Sequence, residues 1–138
     1  EYLAITDHSP RLRVARGLSA ERLREQIPFV RALSGDGLTV LAGIEVDILE
    51  RGALDQADEL LDELDIVVAS VHSLLRMDAG PMTARMIAAV SDPRVDVLGH
   101  CTGRLVQGER GTRPPSQFDA RAVFAACAEN GVAVEINS

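Results

Sequence analysis

Apolar residues along this chain fall into five short runs separated by segments with helical spacing. The clearest run covers residues 65–73, which are mostly β-branched and apolar without polar alternation. This pattern is typical of a strand that is buried on both faces, as in a parallel sheet. Comparable runs cover residues 2–6, 38–44, 95–99 and 132–136. The pattern therefore predicts five strands.

The four segments between these runs predict helices, at residues 19–33, 55–63, 82–90 and 117–129. Ser19 is an N-cap residue for the first helix, and Pro28 within it predicts a kink or a break. The apolar faces are expected to contain Leu23, Ile27, Val30 and Leu33 in the first helix, Met86, Ile87 and Val90 in the third, and Val123, Phe124 and Cys127 in the fourth. Such alternation of strands and helices predicts an α/β fold with parallel strands and right-handed crossovers.

Length and composition limit the possible classes of protein. A chain of 138 residues with 46% hydrophobic residues predicts one globular domain, residues 1–138, with an aliphatic core because aromatic residues make up 3%. No apolar run approaches the roughly 20 residues of a membrane span, so no membrane partner is expected. Both ends have strand character, which is typical of a piece of a larger sheet.

Charge and cysteine content narrow the choice of partners and compartment. The net charge of −7 argues against broad electrostatic binding of nucleic acid, although a local basic pocket remains compatible with it. All 14 basic residues are arginine. Two cysteines without a C-x-x-C spacing indicate free thiols in a reducing cytoplasm.

Every histidine of the chain stands at the C-terminal end of a predicted strand. These are His8, His72 and His100, and Glu45 ends the second run in the same way. A single histidine at a strand end is usually structural, but the C-terminal ends of parallel strands meet at one edge of the sheet. Three imidazoles and one carboxylate at that edge predict a shared metal site, and such ligands suit Zn, Mn or Fe.

The segments that carry these residues also resemble a known family. Residues 3–9 (LAITDHS), 42–47 (AGIEVD), 68–73 (VASVHS), 98–104 (LGHCTGR) and 135–137 (EIN) are similar, in order, to motifs of the PHP (polymerase and histidinol phosphatase) superfamily. The greatest similarity is to the branch found at the C-terminus of bacterial family X DNA polymerases and in free-standing relatives. The resemblance implies a single partial PHP domain, an incomplete part of a distorted seven-stranded β/α barrel with up to three divalent metal ions.

The resemblance also implies roles for individual residues. Glu45 matches a carboxylate that bridges two metals, His72 and His100 match its partners on one ion, and His8 matches a ligand of a different ion. Residues that would orient these ligands are Asp7, Asp47, Glu135 and Asn137. Residues that would contact a substrate phosphate are Arg104 and, on weaker grounds, Arg110 and Arg113.

The implied activity is phosphoester hydrolysis by a metal-bound water, without a side-chain nucleophile, in a cytoplasmic enzyme. The substrate would be a small phosphorylated compound or a nucleic-acid 3′ end, and a role in DNA repair is one option. The family's H-x-H and D-x-H motifs do not occur in this sequence. We therefore expect only the ion held by Glu45, His72 and His100 to keep its full ligand set, with one ion or none bound and impaired activity.

Two other classes of protein remain open at this point. One is a metal-dependent C–N hydrolase on a similar barrel, in which a lysine ligand is common and which the absence of lysine disfavours. The other is a non-catalytic, metal-poor PHP-like module that acts as a scaffold or regulator. The missing outer motifs favour the second alternative.

Overall fold

A computed structural model describes residues 1–107 and 111–136 of the chain as an α/β structure. Strands alternate with helices along the chain, as the sequence predicts. The elements are β1 (Tyr2–His8), α1 (Ala20–Arg31), β2 (Thr39–Asp47), α2 (Asp58–Leu61), β3 (Ile66–Ser70), α3 (Ala79–Val90), β4 (Val97–Leu98), α4 (Ala120–Asn130) and β5 (Ala133–Val134). A 3-10 turn at Arg13–Ala15 lies between β1 and α1.

The five strands form one parallel sheet in the order β1-β2-β3-β4-β5. β3 is therefore the central strand, in agreement with its continuous apolar sequence. Within residues 1–107 and 111–136, the sheet is open, because β1 and β5 do not pair with each other. The parallel α/β class is confirmed by this arrangement, whereas closure into a barrel is not.

The strands that carry Glu45 and His72 end at different points from those predicted. β2 continues two residues past Glu45 to Asp47, because its ladder with β3 extends that far, whereas its ladder with β1 ends at Glu45. β3 stops at Ser70, so His72 lies in the loop that follows the strand. In the β1–β2 ladder His8 is the direct partner of Glu45, so both side chains emerge on the same face of the sheet.

α1 begins as predicted, and Ser19 Oγ accepts a hydrogen bond from the Arg22 N–H. The helix continues through Pro28 to Arg31, so the predicted break does not occur. Pro28 is exposed, and the carbonyl left without a donor by its missing N–H can bond to water. Leu33 follows the helix and is 52% exposed, outside the core to which its spacing assigned it.

The other helices differ from prediction at their boundaries. α3 begins at Ala79, because Pro81 falls in the first turn, where no N–H is needed. α4 begins after the N-cap Asp119, and its exposed Phe124 packs edge-on against Phe118 with ring centroids 6.3 Å apart. Ala126 takes the buried position that the sequence assigned to Phe124. α2 is only one turn long, since Asp58–Leu61 is followed directly by the approach to β3.

The core is aliphatic and continuous. Its fully buried side chains include Ile44, Val46, Ala69 and Leu98 of the sheet, Met82, Met86, Ala89 and Val90 of α3, Leu60 of α2 and Val123 of α4. Close packing fixes the position of the central strands and thereby restricts the movement of their C-terminal ends. No helix in the described part of the chain is long and apolar enough to cross a membrane.

Candidate metal centre

Three histidines surround Glu45 at the C-terminal edge of the sheet. Glu45 Oε1 lies 3.1 Å from His72 Nε2 and 2.8 Å from His100 Nε2, and Glu45 Oε2 lies 3.6 Å from His8 Nδ1. The His72 ring stands edge-on to both other imidazoles, with centroids 5.1 Å apart in each case. The structure therefore brings together the four residues that the sequence singled out as ligands.

The spacing of these atoms suits a shared cation. One ligand atom each from His8, Glu45 and His72 can be chosen so that all lie within 4.8 Å of one another. Two ligand atoms on one ion, with bonds of about 2.1 Å and near-tetrahedral angles, lie about 3.4 Å apart. His8 Nδ1 and His72 Nδ1 are buried and make no hydrogen bond in the described part of the chain; each faces a carboxylate oxygen at 3.6 Å, Glu45 Oε2 and Asp47 Oδ1 respectively. His8 thus lies with Glu45 and His72, whereas the resemblance assigned it to a different ion.

The charges in this cluster depend on one another. Burial by itself would raise the pKa of the Glu45 carboxyl, but hydrogen bonds from His100 and His72 hold that pKa well below its usual range. Burial by itself would lower the pKa of His72, but the carboxylates of Asp47 and Glu45 raise it to about 9. A cation entering the site must therefore displace the proton of His72.

Asp47 holds the loop that carries His72. Its Oδ1 accepts a hydrogen bond from the His72 backbone N–H at 3.1 Å and lies 3.6 Å from His72 Nδ1. Asp47 is itself buried, and its backbone N–H donates to the buried Ser9 Oγ at 2.9 Å. This contact pattern is the one expected of a carboxylate that orients a histidine ligand.

The other residues predicted to orient ligands divide into separate cases. Glu135 Oε2 accepts a hydrogen bond of 2.6 Å from the His100 backbone N–H, so Glu135 fixes the loop behind His100. Asp7 is exposed and its Oδ2 accepts a 2.6 Å hydrogen bond from Gln26 Nε2 of α1. Consecutive residues of a strand point to opposite faces, so Asp7 faces away from the cluster that its neighbour His8 joins. Asn137 lies outside the described residues.

The arginines predicted to contact phosphate do not touch the histidine cluster within residues 1–107 and 111–136. Arg104 is exposed in the loop after β4. Arg113 donates from Nε to the Gly103 carbonyl at 2.6 Å and pairs with Leu105 in an isolated antiparallel bridge. Arg110 lies outside the described residues.

Arg85 of α3 was missed by the sequence analysis, although it supports the site from behind. It is 1% exposed and donates to the carbonyls of Leu49 and Ser73, each at 2.9 Å, and to the carbonyl of Ile48. These carbonyls lie in the segments that immediately follow Asp47 and His72. One side chain thus ties the end of β2 to the end of β3.

A parallel α/β sheet that gathers three imidazoles and a carboxylate at its C-terminal edge has the architecture of a metal-binding α/β protein. Similarity to known proteins adds to this description. Over 140 residues the chain is 38% identical to the DNA polymerase/3′-5′ exonuclease PolX of Bacillus subtilis, covering 100% of this chain and 24% of that protein. Over 146 residues it is 31% identical to a probable phosphatase of Thermoanaerobacter sp., covering 100% of this chain and 52% of that protein.

A third relative is a probable phosphatase of Shewanella sp., 37% identical over 106 residues, which are 75% of this chain and 38% of that protein. The chain thus spans about a quarter to a half of the length of these relatives. No family model matches the chain. The similarities support a relationship to PolX and to proteins named as phosphatases.

Proposed function

We propose that this chain forms the metal-binding part of a phosphoesterase of the PHP superfamily. The observation that carries the proposal is the arrangement of three imidazoles around the carboxylate of Glu45, in which ligand atoms of His8, Glu45 and His72 lie within 4.8 Å of one another. The names of the similar proteins agree with it, because phosphatases and exonucleases both hydrolyse phosphoester bonds.

Glu45, His72 and His8 would hold a divalent cation, and Zn, Mn and Fe all suit these ligands. His100 would complete the set or serve a second ion, since its Nε2 shares Glu45 Oε1 with His72. A bound cation would lower the pKa of water and neutralise the charge of a phosphoryl group. We keep up to three ions, and a larger closed barrel, as proposals for the whole protein.

The chain's own residues supply orientation and proton release. The Asp47 carboxylate accepts a hydrogen bond from the backbone N–H of His72 and so orients this residue. The Glu135 carboxylate orients His100 through the same kind of hydrogen bond. His72 has a pKa of about 9 and is charged at neutral pH, so binding of a cation to this imidazole would require loss of its proton. Arg104, in the loop after His100, is our proposed contact to a substrate phosphate. Both a small phosphorylated compound and a nucleic-acid 3′ end suit this chemistry.

The test combines metal analysis with a phosphoesterase panel. The chain, Glu45→Gln and His72→Ala are each loaded with Zn, Mn or Fe, desalted and assayed for bound metal and for hydrolysis of 4-nitrophenyl phosphate and bis(4-nitrophenyl) phosphate. Glu59→Gln, on the exposed face of α2, is the matched control. We expect both site variants to bind the metal at least about tenfold more weakly, as loss of a ligand costs at least as much as loss of an outer partner.

Two outcomes contradict different parts of the proposal. Equal metal content in the chain and in the site variants would remove the metal centre. If metal binds as predicted but neither the chain nor a longer form of the protein hydrolyses any phosphoester, the metal centre would be supported and the phosphoesterase activity refuted. The second result would favour the non-catalytic module.

A further inference from the structure

The loops that follow β3 and β4 enclose a cleft of about 210 Å³ that the metal centre does not use. Both loops leave the C-terminal edge of the sheet, where the histidines meet. The cleft is lined by Leu75, Arg76 and Met77 from the first loop and by Arg113, Pro114, Pro115 and Gln117 from the second. Leu75 follows His72 by three residues, so their Cα atoms are at most about 11 Å apart. One wall of the cleft therefore lies close to the His72 end of the metal centre.

The cleft is formed before any ligand binds, because its two loops are fastened together. The buried Ser116 donates from Oγ to the Leu75 carbonyl at 3.0 Å and from its N–H to the Thr102 carbonyl at 2.8 Å. Gly103 has a φ of 55° and packs so closely that an added Cβ would lie 3.3 Å from Leu75 Cδ2. Two consecutive prolines restrict the opposite wall. A preformed cleft reduces the ordering cost of binding.

The cations of the cleft are available to an anionic ligand. Across residues 1–107 and 111–136, neither Arg76 nor Arg113 forms an ion pair with a carboxylate, and Arg113 uses only its Nε, on the Gly103 carbonyl. Both arginines line the same cleft, so their positive charges act on one bound ligand. The planar guanidinium fork suits a phosphate group.

Apart from the exposed amide of Gln117, the remaining walls are apolar: Leu75 and Met77 are partly buried, and Pro114 and Pro115 are exposed. Leu75 and Met77 pack against the core, and Pro114 and Pro115 face them across the cleft. Apolar walls beside two guanidinium groups suit a ligand with an anionic end and a flat apolar body.

We propose that this cleft binds a phosphate group that carries an apolar, planar substituent. The inference rests on the proposed function and deepens it, because such a cleft beside the metal centre would select phosphoesters that present a second phosphate with an aromatic group. The cleft would act as a subsite for the part of the substrate beyond the bond that is hydrolysed.

The test measures binding without metal and without turnover. Chelator-treated protein is titrated with phenyl phosphate and with inorganic phosphate by calorimetry. We expect phenyl phosphate to bind about tenfold more tightly, since roughly 60 Å² of ring surface would leave water. Arg76→Gln and Arg113→Gln should each weaken phenyl phosphate about five- to tenfold, through loss of a charged hydrogen bond. Arg121→Gln, on the exposed face of α4, is the matched control and should leave the affinity unchanged.

Several results would overturn the proposal. These are no binding of phenyl phosphate, equal affinities for the two probes, or equal losses in all three arginine variants. His8→Ala, which removes an imidazole from the cluster and lies outside both loops of the cleft, should retain phenyl phosphate affinity to within about twofold, and loss of binding there would place the probe at the metal centre instead. Because no step of the test requires metal or catalysis, an inactive enzyme does not affect it, and an empty cleft leaves the phosphoesterase proposal intact.

Discussion

Replacement of Arg85 by methionine should weaken both the fold and the metal centre. Methionine matches the buried, unbranched aliphatic part of the arginine side chain but lacks the guanidinium group, and so removes every donor to the carbonyls of Ile48, Leu49 and Ser73. A buried carbonyl without a donor costs about 1–3 kcal/mol. The Ile48 carbonyl contact is fully buried and should bear the full cost, whereas water can reach the two part-buried contacts. We expect the free energy of unfolding to fall by about 3 kcal/mol.

The effect on metal affinity follows from where those carbonyls lie. They belong to the segments directly after Asp47 and His72, so loss of Arg85 frees both segments to move. Removal of a partner behind a metal ligand typically costs 10–100-fold in affinity. We expect the dissociation constant for Zn²⁺ to rise about tenfold in Arg85→Met. Arg85→Lys keeps the charge and some donors, so its dissociation constant for Zn²⁺ should lie between those of Arg85→Met and the unsubstituted chain.

Two measurements test this prediction, one of the free energy of unfolding and one of the metal affinity. Urea unfolding of the metal-free protein at pH 7 gives the change in free energy, and competition with a chromogenic chelator gives the metal affinity. Arg121→Met places the same substitution on the exposed face of α4 and should change neither quantity. A loss of stability below about 1 kcal/mol in Arg85→Met, or an unchanged metal affinity, would refute the role assigned to this side chain.

Three further predictions concern the cluster itself. Asp47→Asn should weaken metal binding about tenfold, whereas Asp7→Asn should leave it unchanged, because Asp7 faces α1. Equilibrium dialysis measures both affinities, and equal losses in the two variants would contradict this orientation. The pKa of His72 is raised from 6.5 to about 9, so its stabilisation of the metal-free fold should be complete below pH 6.5 and disappear as the pH rises through 9. Urea unfolding at several pH values measures this, and a stability that increases over that interval would exclude a charged His72. Gly99→Ala should destabilise the fold by about 1–3 kcal/mol in thermal unfolding, because its Cβ would lie 2.2 Å from Ser70 Oγ, and wild-type stability would show that this contact relaxes at no cost.

The sequence predicted the class of fold and the position of the cluster because both follow from short-range patterns. Apolar runs that alternate with helical spacing imply parallel strands, and their C-terminal ends must share an edge. Which residue at an end faces the cluster depends on strand register, which the pattern left open. Asp7 and His8 are neighbours, and the pairing of His8 with Glu45 decides which of them joins the site.

The sequence could predict that Arg85 is buried, but not which groups it contacts. Met82, Arg85, Met86 and Ala89 follow helical spacing, so the pattern itself places an arginine on the buried face of α3. Arginine is almost never fully buried unless its donors are satisfied, so such a position implies acceptors in the interior. The acceptors are backbone carbonyls at the ends of two strands, and backbone groups leave no mark on the sequence. A charged residue on a buried helical face is therefore evidence for an irregular backbone segment next to it, and in a parallel sheet such segments border the site.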